Sequence, residues 1–97
     1  MIVRFANKKC RRLEEDMKFT AGYSRDLVKA FRKRMQYIRS ANDERDFYAL
    51  KSLHYEKLKG NRKHQRSMRL NDQFRLILEI IEERERIIVI VDIEDYH

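Results

Sequence analysis

The spacing of hydrophobic and polar residues changes along this chain from a period of two, to a period of three to four, and back to two. Over residues 1–5, Ile2 and Arg4 alternate with Val3 and Phe5, the pattern of a short strand. Asn7 is placed to cap a helix running through Leu13 to about Met17. Gly22 breaks the chain. Ser24 then makes a good N-cap, with Asp26 in the first turn, where a carboxylate favours the helix dipole. Leu27, Val28, Phe31, Met35 and Ile38 follow at three- and four-residue spacing, while Lys29, Arg32, Lys33, Arg34 and Arg39 cover the remaining surface. This is an amphipathic helix whose apolar stripe packs on the chain's own sheet. Asn42 or Asp43 caps a short third helix that carries Phe47 and Leu50.

The two-residue period returns in the second half. Residues 67–70 and 73–80 read as strands joined at Asn71-Asp72, residues that tolerate the turn a hairpin needs. In the second strand Phe74, Leu76, Leu78 and Ile80 share one face, and Gln73, Arg75, Ile77 and Glu79 the other. Residues 82–86 form a charged turn. The β-branched run at 87–91 suits an interior strand and leads directly into Asp92-Ile93-Glu94-Asp95-Tyr96-His97. The order predicts one α+β domain over residues 1–97, with an N-terminal strand and two to three helices on one face of a largely antiparallel sheet. The other face is then free, and Arg75 points to it.

Composition narrows the class. Of 97 residues 42% are hydrophobic and 40% charged, with no proline and two glycines, which fits a folded, helix-containing chain rather than a disordered tail. No apolar run approaches the ~20 residues of a membrane span. Residues 1–12 show no hydrophobic stretch after a basic one, so no secretory signal is expected. Cys10 is the single cysteine, which rules out an internal disulfide and a multi-cysteine zinc site and fits a reducing cytoplasm. The net charge of +7 is uneven: residues 1–70 hold 20 Lys and Arg against 8 Asp and Glu, and residues 71–97 hold 3 against 8. A basic body attracts polyphosphate through counterion release. Dispersed charge that only keeps a small protein soluble fits the same counts.

Two segments carry candidate chemistry. Between residues 51 and 69 lie Lys51, Lys57, Lys59, Arg62, Lys63, Arg66 and Arg69, with Glu56 the only acid and a turn at Gly60-Asn61. Such cations flank a phosphate backbone well, and Tyr55 offers a surface for a base to stack on; a solvated loop fits the same residues. The chain then reaches Asp95-Tyr96-His97, a carboxylate, a phenol and an imidazole in succession. On a strand Asp95 and His97 share a face. His54, His64 and His97 lack the helical spacing and supporting acids of a metal site. No glycine-rich phosphate loop or serine or cysteine nucleophile motif is present.

Four segments together resemble the HigB-type toxins of the RelE/ParE superfamily over nearly the whole chain. They are Met1-Ile2-Val3-Arg4-Phe5, Leu58-Lys59-Gly60-Asn61-Arg62, Ser67-Met68-Arg69-Leu70-Asn71-Asp72-Gln73-Phe74-Arg75-Leu76 and Val91-Asp92-Ile93-Glu94-Asp95-Tyr96-His97. The resemblance implies the compact RelE/ParE-like fold and a toxin that cleaves messenger RNA on the ribosome. It also implies a helix-turn-helix antitoxin that represses the shared operon, so operator DNA is reached only through that partner. Residue by residue, Lys59 matches the basic residue of the Leu-Lys-Gly motif, Arg75 the arginine after the strand-opening aromatic, and Asp95, Tyr96 and His97 the catalytic C-terminus. Some relatives place a catalytic histidine three residues before the motif lysine, where this chain has Glu56. His54 lies two residues further back, facing the same way if the segment is a strand, and ranks below His97.

The resulting expectation is a metal-free, cofactor-free endoribonuclease in which the substrate's 2′-hydroxyl attacks the adjacent phosphorus. His97, or Asp95, moves protons, Lys59 and Arg75 stabilise the phosphorane, and Tyr96 positions the substrate. Lys51, Lys57, Arg62, Lys63, Arg66 and Arg69 bind RNA. Two rivals have other signatures. A same-fold toxin of DNA gyrase lacks the basic-plus-imidazole set, and a non-catalytic basic RNA- or DNA-binding module tolerates loss of His97.

Overall fold

In a computed structural model, which describes residues 1–96, each helix starts at a side-chain cap. Asn7 accepts from the Lys9 and Cys10 N–H groups and opens α1 (Lys8–Glu15). Ser24 accepts from Leu27 N–H and opens α2 (Arg25–Ser40). Asp43 accepts from Arg45 N–H and opens α3 (Glu44–Ala49). Caps of this kind contribute about 1 kcal/mol each. Helix α1 ends short of Met17 because Asp16 turns extended. Arg32 of α2 takes up the loose carbonyls there, donating to Leu13 O (2.9 Å), Asp16 O (3.1 Å) and Phe19 O (3.2 Å).

The strands β1 (Ile2–Phe5), β2 (Glu56–Lys57), β3 (Gln65–Arg69), β4 (Phe74–Glu82) and β5 (Arg86–Asp95) form one sheet in the order β1-β5-β4-β3-β2. Only β1 and β5 run parallel; the other pairs are antiparallel. The β-branched run at 87–91 therefore lies between two neighbours, as its composition predicts. Asn71 makes the β3–β4 turn by accepting from the Gln73 and Phe74 N–H groups at 2.9 and 2.7 Å. The helices pack on one face: the whole α2 stripe is buried, together with Leu13 and Phe47, against Met68, Leu76, Leu78, Ile88 and Ile90.

A bulge separates the two halves of the β4–β5 ladder. Leu78 pairs with Ile90 and Ile77 with Asp92, so β5 carries one extra residue at Val91. The bulge lets Ile90 and Ile93, an odd number of residues apart, both enter the core. On the outer face the expectation of a free surface needs correcting. Ile77 alternates with core-facing Leu76 and Leu78 yet is only 1% exposed. Arg62, from the β2–β3 connection, reaches across β4 to donate to Glu94 on β5 on that face.

Candidate active site

The C-terminal end of β5 is tied to the start of β4. Tyr96 N–H donates to Gln73 O at 2.8 Å, and Gln73 Nε2 donates to Asp95 Oδ2 at 3.0 Å. These bonds hold Tyr96 on the rim of an open cavity of about 450 Å³ whose wall is His54, Glu56, Arg69, Asp72 and Tyr96. The Tyr96 ring is 40% exposed. Its underside faces Arg75, whose guanidinium carbon lies 5.4 Å from the ring centroid, within cation–π range. Partial burial raises the Tyr96 phenol above its usual pKa, and Arg75 and Arg69 oppose the shift.

His54 reaches the wall by a different route from the one its sequence position suggests. It is not on a strand: it ends the 3-10 turn Lys51–Leu53 with φ 46° and ψ 45°, a left-handed backbone, and its N–H donates to Lys51 O. Histidine is among the few non-glycine residues enriched there, and such conformations cost about 1–3 kcal/mol where the surroundings impose them. Glu56 opens β2 opposite Ser67. His54 and Glu56 thus line one cavity although strand periodicity does not relate them.

Arg75 lies on the outer face as expected, but it is not bare. Its Nη2 donates to Glu94 Oε1 at 2.6 Å, and its side chain is 18% exposed. The same carboxylate accepts from Arg62 at 2.9 and 2.7 Å. Hydrogen bonds from Arg62 and then Arg75 hold the Glu94 carboxyl at a pKa of about 2, against the partial burial that favours its neutral form. Arg75 Nε is buried with no hydrogen-bond partner among the described residues. A buried donor left unpaired costs about 1–3 kcal/mol, so the pairing of this guanidinium is incomplete.

The predicted RNA-binding cations divide into two groups. Arg62 is held by Glu94, Arg66 by Glu44 at 3.1 Å, and Arg69 by Asp72. Lys51, Lys57, Lys59 and Lys63 are exposed and make no ion pair among the described residues. Lys59 immediately precedes the 3-10 turn Gly60–Arg62 and is not in the cavity wall. The turn itself needs Gly60, whose φ of 67° is open to glycine at little cost. Tyr55 is not a stacking platform. It is buried, packs on Phe47 and Tyr48, and donates its hydroxyl to Glu44 at 2.6 Å. Tyr96 lines the cavity and Asp95 is not in its wall, while His97, expected to share a face with Asp95, lies outside the described residues.

Sequence reading missed three carboxylates at this site, Glu56, Asp72 and Glu94. From sequence, Asp72 stands out only as a turn residue and Glu56 only as a substitution at a histidine position. Glu94 is hidden by the bulge: counted back from the 82–86 turn without it, Arg75 would oppose Ile93.

The chain and its fold have counterparts among known proteins. Residues 3–97 match the family described as RelE-like toxin of type II toxin–antitoxin system HigB. The fold is similar to that of a YoeB/ParE toxin from Agrobacterium tumefaciens, with TM-score 0.60 and 13% identity over 100% of both chains. It is also similar to a conserved hypothetical protein from Helicobacter pylori, with TM-score 0.56 and 11% identity over 99% of this chain and 94% of that one. Comparison with curated protein sequences gives no match.

Proposed function

The chain belongs to the RelE-like toxins of HigB type II toxin–antitoxin systems, and from that premise we propose that it is a ribosome-dependent messenger-RNA endonuclease working by 2′-hydroxyl attack without a metal. Membership implies an antitoxin partner; the proposal makes that partner a helix-turn-helix protein through which alone the operator is bound. Among the described residues no helix is long and apolar enough to cross a membrane; the proposed place of action is the cytoplasm.

The observation that carries the reading is the cavity wall, which His54 and Tyr96 line together with Arg69, with Arg75 against the underside of the Tyr96 ring. Cleavage of this type needs a base to take the 2′-hydroxyl proton, an acid to protonate the departing 5′-oxygen, and fixed cations for the phosphorane. The 2′-oxygen forms a bond to phosphorus as the P–O5′ bond breaks, leaving a 2′,3′-cyclic phosphate and a 5′-hydroxyl. Imidazoles serve as base and acid near neutral pH. His97, next in the chain after Tyr96, is the first of these. The sequence alone ranks His54 below it, and the place of His54 in the wall is the reason to assign it the second role. Arg75 and Arg69 stabilise the added negative charge, and Tyr96 holds a base or sugar against the rim. Lys51, Lys57 and Lys63 contact the RNA backbone, and Lys59 is a further cation for the phosphorane.

Expression of the chain is expected to arrest growth, and His97→Ala to relieve the arrest while the protein stays soluble and folded. On ribosomes programmed with messenger RNA, His97→Ala and His54→Ala should each lower cleavage by ~10²-fold or more, the range for losing a general acid or base. Full toxicity of a folded His97→Ala variant, or inhibition of gyrase supercoiling with messenger RNA left intact, overturns the reading.

A further inference from the structure

The arrangement of Arg62, Glu94 and Arg75 has a shape that goes beyond two ordinary ion pairs. One carboxylate bridges two guanidiniums that come from different parts of the chain, one in the β2–β3 connection and one on β4. Arg62 meets both Glu94 oxygens and Arg75 meets one of them, so three N–H groups converge on a single small anion. Two guanidiniums converging on a pair of oxygens is also how proteins grip the non-bridging oxygens of a phosphate. Arg75 commits one donor to Glu94 and leaves its buried Nε with no acceptor among the described residues. Glu94 is 34% exposed at its side chain, so an anion arriving from solvent has access to the position it occupies. The cluster adjoins the cavity through the Tyr96 ring, which lies over Arg75.

We propose that Arg62 and Arg75 form a phosphodiester subsite and that the Glu94 carboxylate occupies it until a phosphate group displaces it. While Glu94 is in place, the two guanidiniums keep the spacing that an oxyanion requires, and the net charge of the trio is +1 rather than +2. An incoming phosphodiester exchanges with the carboxylate without the arginines having to be assembled. The inference rests on the reading of RNA as substrate, but the subsite recognises phosphate and is indifferent to the 2′-hydroxyl.

The test is binding, not cleavage. A fluorescent 2′-O-methyl oligoribonucleotide, which cannot be cut by 2′-hydroxyl attack, and a DNA oligonucleotide of the same sequence are titrated with wild type and with Glu94→Gln. Removing the competing charge should tighten both complexes by ~10-fold at low salt. It should also steepen the salt dependence of log K by about 0.7, the increment for one more neutralised phosphate on a single strand. Arg75→Ala in the Glu94→Gln background should abolish the gain. Equal or weaker binding by a Glu94→Gln protein that melts with wild type overturns the proposal and leaves Glu94 as a residue that only positions the arginines. If Glu94→Gln does not fold, the side-chain Nε–H signals of Arg62 and Arg75 in wild type decide the matter. Both shifting together as the 2′-O-methyl strand is added supports the subsite, and neither shifting overturns it. Tighter binding by Glu94→Gln with messenger RNA left intact on ribosomes keeps the subsite and sinks the nuclease reading; cleavage without the gain does the reverse.

Discussion

A guanidinium fixed between a carboxylate and an aromatic ring is a charge already in position, and Arg75 is held in that way by Glu94 and Tyr96. Fixed charge lowers a barrier because it does not have to reorganise when the phosphorane forms. Arg75→Ala is therefore expected to cost ~10²-fold or more in cleavage at saturating ribosome. Arg75→Lys should recover little of that loss, since an ammonium cannot lie flat under Tyr96 and offer a planar pair of donors to a phosphate as a guanidinium does. Rates for the two variants on programmed ribosomes check this, and full activity in Arg75→Lys would show that only the charge matters. Glu94 gives a second test. Its carboxyl is held at about 2 in the folded chain against an ordinary 4.5. A folded-state value below the unfolded one means stability that is present above pH 4.5 and lost as pH falls through about 2. The stability gap between wild type and Glu94→Gln, measured by urea unfolding, should hold steady from neutral pH to about 4.5 and close towards pH 2. It should also be small, because a carboxylate about a third exposed is well screened by solvent. A gap that widens on acidification contradicts the pairing.

At the scale of elements, what the sequence disclosed depended on how local the determining interaction is. Helix α2 was readable in full, because its cap at Ser24 and its apolar stripe are set within a few residues. Phe31 lies in the middle of that stripe and is fully buried, so Phe31→Ala should destabilise the fold by ~3–5 kcal/mol in urea melts, the range for large core truncations. A loss under ~1 kcal/mol would mean that α2 does not pack as described. The β3–β4 hairpin was readable for the same reason, since Asn71 closes its own turn. Strand β2 is two residues long, too short for an alternation to register, and the left-handed backbone of His54 has no pattern in the sequence at all. The bulge at Val91 is the deepest omission. It is decided by which isoleucines the core accepts, Ile90 and Ile93 together, and only that non-local choice puts Glu94 rather than Ile93 opposite Arg75. The site residues named from sequence were the ones whose chemistry is distinctive; the carboxylates that hold them in place come from register.

For the molecule as a whole, the basic excess of residues 1–70 overstates the charge available to a nucleic acid. Arg39 is paired with Glu14, Arg45 with Asp43, Arg62 with Glu94, Arg66 with Glu44 and Arg69 with Asp72. In the segment from 51 to 69, that leaves the four lysines Lys51, Lys57, Lys59 and Lys63 as the cations without a carboxylate partner among the described residues. These four lysines by themselves correspond, on a single strand, to a salt slope of roughly −3 in log K against log salt, which is modest. Sequence readout is weaker still, because the rings exposed at the cavity among the described residues are Tyr96 and His54, and stacking on a ring tolerates any base. On the proposed reading, a chain that grips naked RNA weakly needs another body to deliver the substrate, and the ribosome, which holds messenger RNA in a fixed path, is the body proposed. Messenger RNA should accordingly be cut on programmed ribosomes, and the same RNA free in solution at least ~10²-fold more slowly, the scale of rate that positioning alone supplies. Chelator should leave the chemical step unchanged when free magnesium is held constant, a condition needed because ribosomes dissociate without it. Primer extension on the two substrates, with and without buffered chelator, measures both effects. Efficient cutting of naked RNA that depends on an added divalent metal would mean that the guanidinium cluster is not the source of transition-state charge and that the ribosome is not the source of position.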